Sequence, residues 1–501
     1  MKNYSTILNG QAIPLQSIPV LKYDDFLELN TKLVQRQECH CVNYYGFPEG
    51  GQIKLICCIA NDTEHTIYVS SAEMAKNNAQ PIVSFTAHHL SFHIFERELH
   101  ENFGIQYTDH PWLKPVRYAF NRNNKDDRIE NFPFYQIHSE ELHEVGVGPI
   151  HAGIIEPGHF RFICNGEQIL HLEIQLGYQH RGLESLLLYK KKLLQRTILA
   201  ESIAGDTVVG HTTAFVTIWE NLSGFKAAGE LLFDRALALE LERLAIHTGG
   251  LSAICTDIGY QLGSVVFGRL RTPIINFMQE WCGNRLSKGL IRAGKTNFPF
   301  TRRLARRLSD LLDEYEPDFI EMYNEMKSLP TVLARLEKTG VVTPGQAESI
   351  GTVGMTARAS GISRDIRSSH PFALFGQLDH LPVVKHHGDV YSRTQIRKDE
   401  ILQSIGYIRQ WLQNIPQEDV QPLALQKPGP GLFVISLIEG WRGEICHCAV
   451  TGDQGELVHY KIKDPSLHNW LAVALAVRNN EISDFPICNK SFDLSYCGHD
   501  L

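Results

Sequence analysis

In the first quarter of the chain, the spacing between apolar residues changes from about every second position to about every fourth position. Residues 53–60 and 66–69 form two apolar runs, and the Asn-Asp pair between them is typical of a turn. Residues 92–103 place large apolar side chains every four positions, which predicts an amphipathic helix. The pattern predicts one α/β domain over residues 1–120.

The rest of the chain begins with a polar stretch and then becomes strongly periodic. Residues 121–145 carry no apolar period, so they are predicted to form a linker. His159 then opens an alternating segment, followed by an Asn-Gly turn and a second alternating segment that ends at Leu176, which predicts a β-hairpin. Long helices are predicted over residues 183–199, 227–247 and 302–312. These helices predict a helical bundle as the core of this part of the chain.

Composition is that of a globular protein. The 501 residues are 43% hydrophobic and 21% charged, and the net charge of −8 carries no nucleic-acid signature. No signal peptide is recognised at the start of the chain, and no apolar run reaches the roughly 18 residues of a spanning helix. Any membrane association is therefore expected to come through partners.

The eleven cysteines show no C-x-x-C pair. This argues against a zinc ribbon, a thioredoxin-like site or an iron–sulfur cluster held by this chain alone. Without a secretion signal, a reduced cytoplasmic setting is the default.

Residues 178–184, Y-Q-H-R-G-L-E, precede a helical segment and a turn that ends in G-H-T at residues 210–212. This arrangement resembles the core of nickel–iron hydrogenase large subunits and of their relative, the D subunit of respiratory complex I. Three further stretches resemble motifs of these families: residues 352–367, 388–393 and 439–444. The resemblance runs over residues 146–501, and it implies that they form a mainly α-helical domain with an N-terminal β-hairpin.

Residues 95–111, F-E-R-E-L-H-E-N-F-G-I-Q-Y-T-D-H-P, resemble the C subunit of complex I, which is a docking module in that family. The expected fold is therefore α+β, with a C-type domain fused before a D-type domain, as in formate hydrogenlyase-type large subunits.

The four cysteines that hold nickel and iron in the hydrogenases have no counterparts here. In the register set by His211, the first pair falls on Ala204 and Thr207. In the register set by Asp493, the second pair falls on Ser495 and Gly498, and Cys497 is one residue out of that register. Nickel and iron at low potential need soft thiolate donors, so no metal site is predicted.

Polar residues surround the positions that correspond to the metal ligands of the hydrogenases. The resemblance and the chemistry of their side chains suggest catalytic roles for His159, Asp206 and His211. A carboxylate buried beside histidines is expected to have a raised pKa, here that of Asp206. Roles in binding a ligand are assigned to His180, Arg181, Glu184, Arg358 and Asp365. Two alternatives stay open: His159 could be an ordinary turn histidine, and the buried charges could be structural ion pairs.

The resemblance implies a peripheral subunit of a membrane-bound respiratory complex, an NADH- or ferredoxin-linked quinone oxidoreductase on the cytoplasmic face of the inner membrane. Expected partners are an iron–sulfur small subunit, a ferredoxin-like subunit and antiporter-like membrane subunits. The chain itself is expected to hold no cofactor; clusters would lie in the partners, and a quinone could accept electrons at the cavity. The alternatives are a non-redox coupling scaffold and, disfavoured by the missing thiolates, an active hydrogenase.

Overall fold

The computed structural model describes residues 3–76, 80–151, 155–227, 229–416 and 425–501, which form a mixed α/β protein. The strands are β1 (Ser5–Ile7), β2 (Ile13–Pro14), β3 (Val20–Leu21), β4 (Cys39–Glu49), β5 (Gln52–Asn61), β6 (Thr66–Ala75), β7 (Ile82–Val83), β8 (Tyr107–Thr108), β9 (His143–Val147), β10 (His159–Asn165), β11 (Gln168–Gln175), β12 (Ile291–Arg292), β13 (Lys295–Thr296), β14 (Leu432–Glu439), β15 (Glu444–Thr451) and β16 (Leu457–Lys463). The α-helices are α1 (Tyr23–Val34), α2 (His93–Phe103), α3 (Leu183–Tyr189), α4 (Leu193–Ala200), α5 (Val208–Leu222), α6 (Gly229–Asp257), α7 (Gln261–Cys282), α8 (Arg302–Ser328), α9 (Pro330–Leu336), α10 (Pro344–Ser349), α11 (Gly354–Ala359), α12 (Ile366–Ser369), α13 (Val390–Leu412), α14 (Ser466–Ala476), α15 (Phe485–Phe492) and α16 (Tyr496–Asp500).

The N-terminal region is built on a sheet with the strand order β1–β6–β5–β4, and β3 pairs in parallel with β6. Helices α1 and α2 pack against this sheet. Strands β5 and β6 cover the two strand-like apolar runs, residues 53–60 and 66–69. Between them, the Asn61 side-chain oxygen accepts hydrogen bonds from the amides of Thr63 and Glu64, which closes the turn.

Helix α2 confirms the predicted amphipathic helix and ends at Gly104, whose positive φ of 71° suits a glycine cap. Its charged triplet, Glu96, Arg97 and Glu98, is buried rather than solvated. Each member is hydrogen-bonded within the protein, as buried charges must be: Glu96 to the Ser84–Thr86 segment, Arg97 to two carbonyl groups and Glu98 to two cationic side chains.

Residues 109–142 carry neither helix nor strand, in agreement with most of the predicted linker. Strand β9 begins at His143, however, inside the predicted range of 121–145. It pairs with β10, so the predicted hairpin β10–β11 is confirmed and gains a third strand.

The helix predicted over residues 183–199 is two helices, α3 and α4, separated at Lys190–Lys192. In a continuous helix the Leu187 carbonyl would accept a hydrogen bond from residue 191. Here Arg196 Nε donates to that carbonyl at 2.8 Å, and Lys190 is extended with ψ of 134°. The prediction of one helix is therefore wrong at this point.

Helix α6 continues to Asp257, ten residues beyond the predicted end at residue 247. Gly249 and Gly250, which follow the predicted end, are both helical. Their missing side chains make room for two arginines: a Cβ on Gly249 would lie 3.0 Å from Arg271 Cδ, and one on Gly250 would lie 3.3 Å from Arg397 Cζ. Helices α5 to α8 and α13 contribute to one large apolar core, which agrees with the predicted bundle.

A second sheet, with the order β16–β15–β14–β2, was not predicted. It shares an apolar core with the N-terminal sheet, formed by side chains such as Ile56 and Cys58 on one side and Leu437 and Cys448 on the other. Strand β2 comes from the N-terminal region but pairs with β14. The domain boundary at residue 120 stays a prediction.

Within the described ranges, no helix combines the length and the apolar character required to span a membrane.

Candidate functional site

The turn between α4 and α5, residues 201–207, is held by an ion pair. Arg442 donates two hydrogen bonds to the Asp206 carboxylate, at 2.6 and 2.7 Å, and one to Thr207 Oγ1 at 3.0 Å. Trp441 lies beneath the Arg442 guanidinium at 3.9 Å, and its indole N–H donates to the Asp206 carbonyl. Because Arg442 also donates to the carbonyl of Asp493, it joins the turn to the C-terminal segment.

The space at the second pair of expected ligand positions is filled by protein. A Cβ on Gly498 would lie 2.7 Å from Asp464 Oδ2 and 2.9 Å from Ser495 Oγ. Ser495 Oγ itself accepts the Gly498 amide at 2.9 Å. A nickel–iron centre needs four soft thiolates, whereas these positions offer hydroxyl groups, a carboxylate and a guanidinium. The residues present do not fit that centre, and no group of three or more His, Cys, Asp or Glu in the described ranges is arranged to hold a metal ion.

Asp464 begins a row of four buried polar side chains, the His211 cluster: Asp464, His211, His447 and Tyr460. Asp464 Oδ2 lies 2.9 Å from His211 Nε2, His211 Nδ1 lies 3.0 Å from His447 Nε2, and His447 Nδ1 lies 2.8 Å from the Tyr460 hydroxyl. The row is drawn from three elements, since α5 supplies His211, β15 supplies His447, and β16 and the residue after it supply Tyr460 and Asp464.

The environment sets the charges of two members of the His211 cluster, Asp464 and His447. Burial alone would raise the pKa of Asp464, but its hydrogen bond to His211, the charge of His211 and the charge of Arg442 lower it to about 2. Burial and the neighbouring His211 hold the pKa of His447 well below its usual range. Asp464 is therefore a carboxylate and His447 a neutral imidazole at physiological pH.

Glu242 is a further titratable group at the turn. Its carboxylate accepts the amides of Val209 and Gly210, at 2.7 and 3.2 Å, in the first turn of α5. Burial raises the pKa of Glu242 to about 8; these two hydrogen bonds oppose the rise, and the charge of Asp206 adds to it. The cavity beside Asp206 and Glu242 has a volume of about 10 Å³, too small for an organic ligand.

Asp206 was expected to be the carboxylate buried beside the histidines, but the structure places a different carboxylate at His211. Asp206 has a side chain that is 38% exposed and pairs with Arg442, whereas Asp464 is the buried carboxylate at His211. Arg442, Asp464, His447, Tyr460 and Glu242 were not among the predicted site residues. Asp464 lies 253 positions from His211, and no local pattern reports such a pairing.

His180, Arg181 and Glu184 hold the end of the chain. His180 Nδ1 lies 2.7 Å from the Asp500 carbonyl oxygen, and Arg181 donates to the carbonyl groups of Ile203 and Cys497 at 3.0 and 2.8 Å. Glu184 accepts the Ile462 amide at 2.9 Å. Arg181 therefore joins the turn to the C-terminal segment. The role in ligand binding predicted for all three side chains stays a prediction.

His159 lies on the hairpin, apart from the other predicted catalytic residues. Its Nδ1 is 3.0 Å from the Gly148 carbonyl oxygen, and its ring packs against Phe134. Burial lowers the pKa of His159, and the hydrogen bond to Gly148 opposes this. No hydrogen bond or ion pair joins it to Asp206 or His211 in the part of the chain that the structure describes.

Arg358 and Asp365 belong to a separate set of buried charges, the Arg358 cluster: Arg243, Arg358, Arg367, Glu240, Asp365, Glu400 and Glu439. Arg358 donates to Glu439 at 2.8 Å and to Glu400 at 2.5 Å. Burial and the neighbouring Asp365 raise the pKa of Glu439 to about 7, although Arg358 opposes them. The structural ion pairing considered for these residues is present, and Glu439 is the carboxyl group of this cluster whose pKa burial raises.

Two family models match the chain, one in its N-terminal part and one in its C-terminal part. Residues 20–134 match the family model "Respiratory-chain NADH dehydrogenase, 30 Kd subunit", and residues 257–429 match "Respiratory-chain NADH dehydrogenase, 49 Kd subunit". The predicted fusion of a C-type region before a D-type region is confirmed. The second match begins after the turn, so the roles of the residues at the turn stay predictions.

Individual relatives come from two groups of complexes. Formate hydrogenlyase subunit 5 of Escherichia coli (strain K12) is 30% identical over 355 residues, which cover 70% of this chain and 62% of that protein. The membrane-bound hydrogenase subunit alpha of Pyrococcus furiosus is 27% identical over 369 residues, 70% of this chain and 85% of that protein. The fused C/D subunit of the NADH-quinone oxidoreductase of Phocaeicola vulgatus is 25% identical over 386 residues, 70% of this chain and 73% of that protein. The chain thus spans less than two thirds of formate hydrogenlyase subunit 5.

Proposed function

We propose that the chain is a peripheral subunit of a membrane-bound oxidoreductase complex, because residues 20–134 match the 30 Kd subunit family and residues 257–429 match the 49 Kd subunit family of the respiratory-chain NADH dehydrogenase. Its relatives support this proposal, since one is named a membrane-bound hydrogenase subunit and another an NADH-quinone oxidoreductase subunit. The complex would couple electron transfer to the movement of protons or other ions.

The proposed partners are an iron–sulfur small subunit, a ferredoxin-like subunit and antiporter-like membrane subunits, on the cytoplasmic face of the inner membrane. Electrons would pass through clusters in these partners. The absence of any C-x-x-C pair among the eleven cysteines supports this division of labour.

One observation determines the role proposed for the turn: the expected metal positions adjoin a continuous hydrogen-bonded row, the His211 cluster. Each of its three hydrogen bonds carries one proton. When His211 Nε2 donates to Asp464, His211 Nδ1 accepts from His447 and His447 Nδ1 accepts from Tyr460. A proton that arrives at the Tyr460 oxygen moves the Tyr460 proton to His447 Nδ1 and the His447 Nε2 proton to His211 Nδ1. Tyr460 keeps the arriving proton, His447 stays neutral with its two hydrogen bonds reversed, and His211 becomes the imidazolium that is paired with Asp464. We propose that this subunit transfers protons at the turn and holds no nickel–iron centre there.

A second candidate, reduction of a quinone near the turn, is favoured by the exposed edge of the site. Nothing lies within 4 Å of the position that a Cβ on Gly205 would take, and Asp206 beside it is partly exposed. The cavity within this chain is too small for a quinone head group. The quinone would therefore bind between this edge and the iron–sulfur partner, with His159 acting from the hairpin.

Expression with and without the neighbouring genes tests the subunit proposal. We expect the chain to sediment with membranes only when the membrane subunits and the small subunit are expressed beside it. Tight membrane association of the chain alone would contradict the proposal, and so would failure to co-purify with the partners in mild detergent. Quinone reduction by the purified complex, with NADH or reduced ferredoxin as donor, would separate the second candidate from a coupling scaffold without redox function.

A further inference from the structure

A cavity of about 340 Å³ lies between the two regions of the chain, away from the turn. Helix α2 and residues 111–116 form one side, and β11 and α14 form the other. Its volume falls within the range of small-molecule sites. Neither the family matches nor the proposed function assigns a role to it.

The cavity has an apolar end and a cationic end. Leu467, Trp470, Leu471 and Ala474 of α14 contribute the apolar side chains. Arg97, Lys114 and Arg478 line the cavity together with a single carboxylate, that of Glu173. The charged side chains of the wall therefore carry a net charge of +2, from three cations and one anion.

Arg97 is the buried cation of this wall that lacks a counter-ion, since Lys114 has one and Arg478 is exposed to solvent. Lys114 is paired with Glu173 at 2.6 Å, whereas no carboxylate lies within ion-pair distance of Arg97 anywhere in the described ranges. The Arg97 side chain is only 7% exposed, and it donates to the carbonyl groups of Lys114 and Pro115 at 2.7 and 3.2 Å. Its guanidinium lies over the Trp112 ring at 4.0 Å. A buried guanidinium without an anion costs free energy that a bound anion would recover.

Further polar atoms of the wall lack partners. His93 Nε2, Gln175 Oε1 and Trp470 Nε1 are buried and make no hydrogen bond to the described residues. Buried polar atoms in folded proteins are nearly always hydrogen-bonded. Three unpaired polar atoms around one cavity therefore indicate that a further molecule occupies this cavity.

We propose that this cavity binds an amphipathic organic anion, a carboxylate carried on an apolar chain or ring, with the carboxylate at Arg97 and the apolar part against Trp470 and Leu471 of α14. A carboxylate matches the planar guanidinium geometrically and electrostatically. The apolar walls favour a ligand with a substantial hydrocarbon part over a small inorganic ion. The proposal is independent of the function assigned to the turn, because it uses none of the residues of the His211 cluster.

Calorimetry with the purified 501-residue chain tests the proposal, with octanoate and 2-naphthoate as anionic probes and 1-octanol as the neutral probe. We expect one octanoate or naphthoate per chain, and binding of octanol weaker by about tenfold or more. Because Trp112 and Trp470 line the cavity, binding should also change the tryptophan fluorescence.

Two variants locate the binding site. Arg97→Gln removes the cation, and Ala474→Phe fills the apolar end from α14; each should weaken octanoate binding by about tenfold or more. Arg196→Gln is the matched control, because Arg196 is also buried, donates to a carbonyl group and lies 5.0 Å from a tryptophan ring, that of Trp219. It should bind octanoate like the wild type.

Four results would overturn the proposal: no binding of either anion by the wild type at about 10 mM, equal binding of octanol and octanoate, many octanoate molecules per chain, or unchanged binding in both cavity variants. If Arg97→Gln does not fold, Ala474→Phe and the comparison of octanoate with octanol decide the question.

Discussion

His40 Nε2 lies 2.7 Å from Glu444 Oε2, and this buried contact joins the N-terminal sheet to the C-terminal sheet. The other ring nitrogen lies 3.3 Å from Asp62 Oδ2. Burial lowers the pKa of His40 and the charge of Arg364 adds to this, but Asp62 and Glu444 outweigh both and raise the pKa above its usual value. Lys463 and His370 also face these carboxylates. The imidazolium form therefore stabilises the contact between the two sheets.

The free energy of unfolding should depend on pH through His40. Because its pKa is raised in the folded state, its contribution is fully present below the unfolded value of about 6.5 and is lost as the pH rises through the folded value. We expect His40→Gln to cost about 1.5–3 kcal/mol near pH 6 and less as the pH is raised. Urea denaturation at a series of pH values measures this.

The control for His40 is His88→Gln, which changes an exposed histidine. Its difference from the wild type should be small at every pH. A cost of His40→Gln that stayed constant or grew with rising pH would contradict the assignment of an imidazolium at this contact.

Gly498→Ala should destabilise the protein by about 1–3 kcal/mol, because the new Cβ would lie 2.7 Å from Asp464 Oδ2 and force this carboxylate away from His211. Gly406 in α13 is the matched control, since it is also helical and nothing lies within 4 Å of its Cβ position. Gly406→Ala should stabilise the protein by about 0.5–1 kcal/mol. Thermal melting of both variants measures the difference; equal effects would show that Asp464 does not fill this space.

Asp206→Asn should lower the free energy of unfolding by about 1–3 kcal/mol, because it leaves the buried Arg442 without its anion. This predicted loss of unfolding free energy is smaller than the loss for a fully buried ion pair, because solvent reaches Asp206 and screens its interaction with Arg442. The loss should be somewhat smaller in about 1 M salt than in about 0.1 M salt, because salt also screens a pair whose carboxylate is partly exposed. A wild-type stability would contradict the structural role of this pair.

The His211 cluster should matter for coupled turnover more than for folding. We expect His211→Gln or His447→Leu to lower the coupled activity of the assembled complex at least about tenfold, roughly 1.4 kcal/mol in barrier, because either change interrupts the row of hydrogen bonds. His88→Gln should retain full activity. Wild-type rates in both cluster variants, with normal assembly, would favour the coupling scaffold without proton transfer at the turn.

Local patterns in the sequence were sufficient for part of the architecture. Periodicity gave β5, β6, α2 and the β10–β11 hairpin, because their core-facing side chains recur at fixed spacing. It could not give the break at Lys190, since this depends on the Arg196 side chain reaching the Leu187 carbonyl. Periodicity also ended α6 too early. Gly249 and Gly250 lie beyond that predicted end, and the arginines that they make room for, Arg271 and Arg397, lie on other helices.

The candidate site was only partly predictable for a related reason. Motif resemblance selected His211 and the turn, and it showed which thiolates are missing. The partners of these residues, Asp464, His447 and Arg442, lie more than 200 positions away. Such pairings are set by how α5 packs on β15 and by where β16 ends, which a single sequence does not report.

The most direct test of this account is the nickel content of the assembled complex, measured by elemental analysis and expressed per copy of this chain. The account predicts a content far below one, because Asp464 and Ser495 fill the space around Gly498 and Arg442 binds Asp206 and Thr207 at the turn. About one nickel per chain, retained after treatment with a chelator, would contradict both the predicted register of the turn and the proton-transfer role proposed for the His211 cluster.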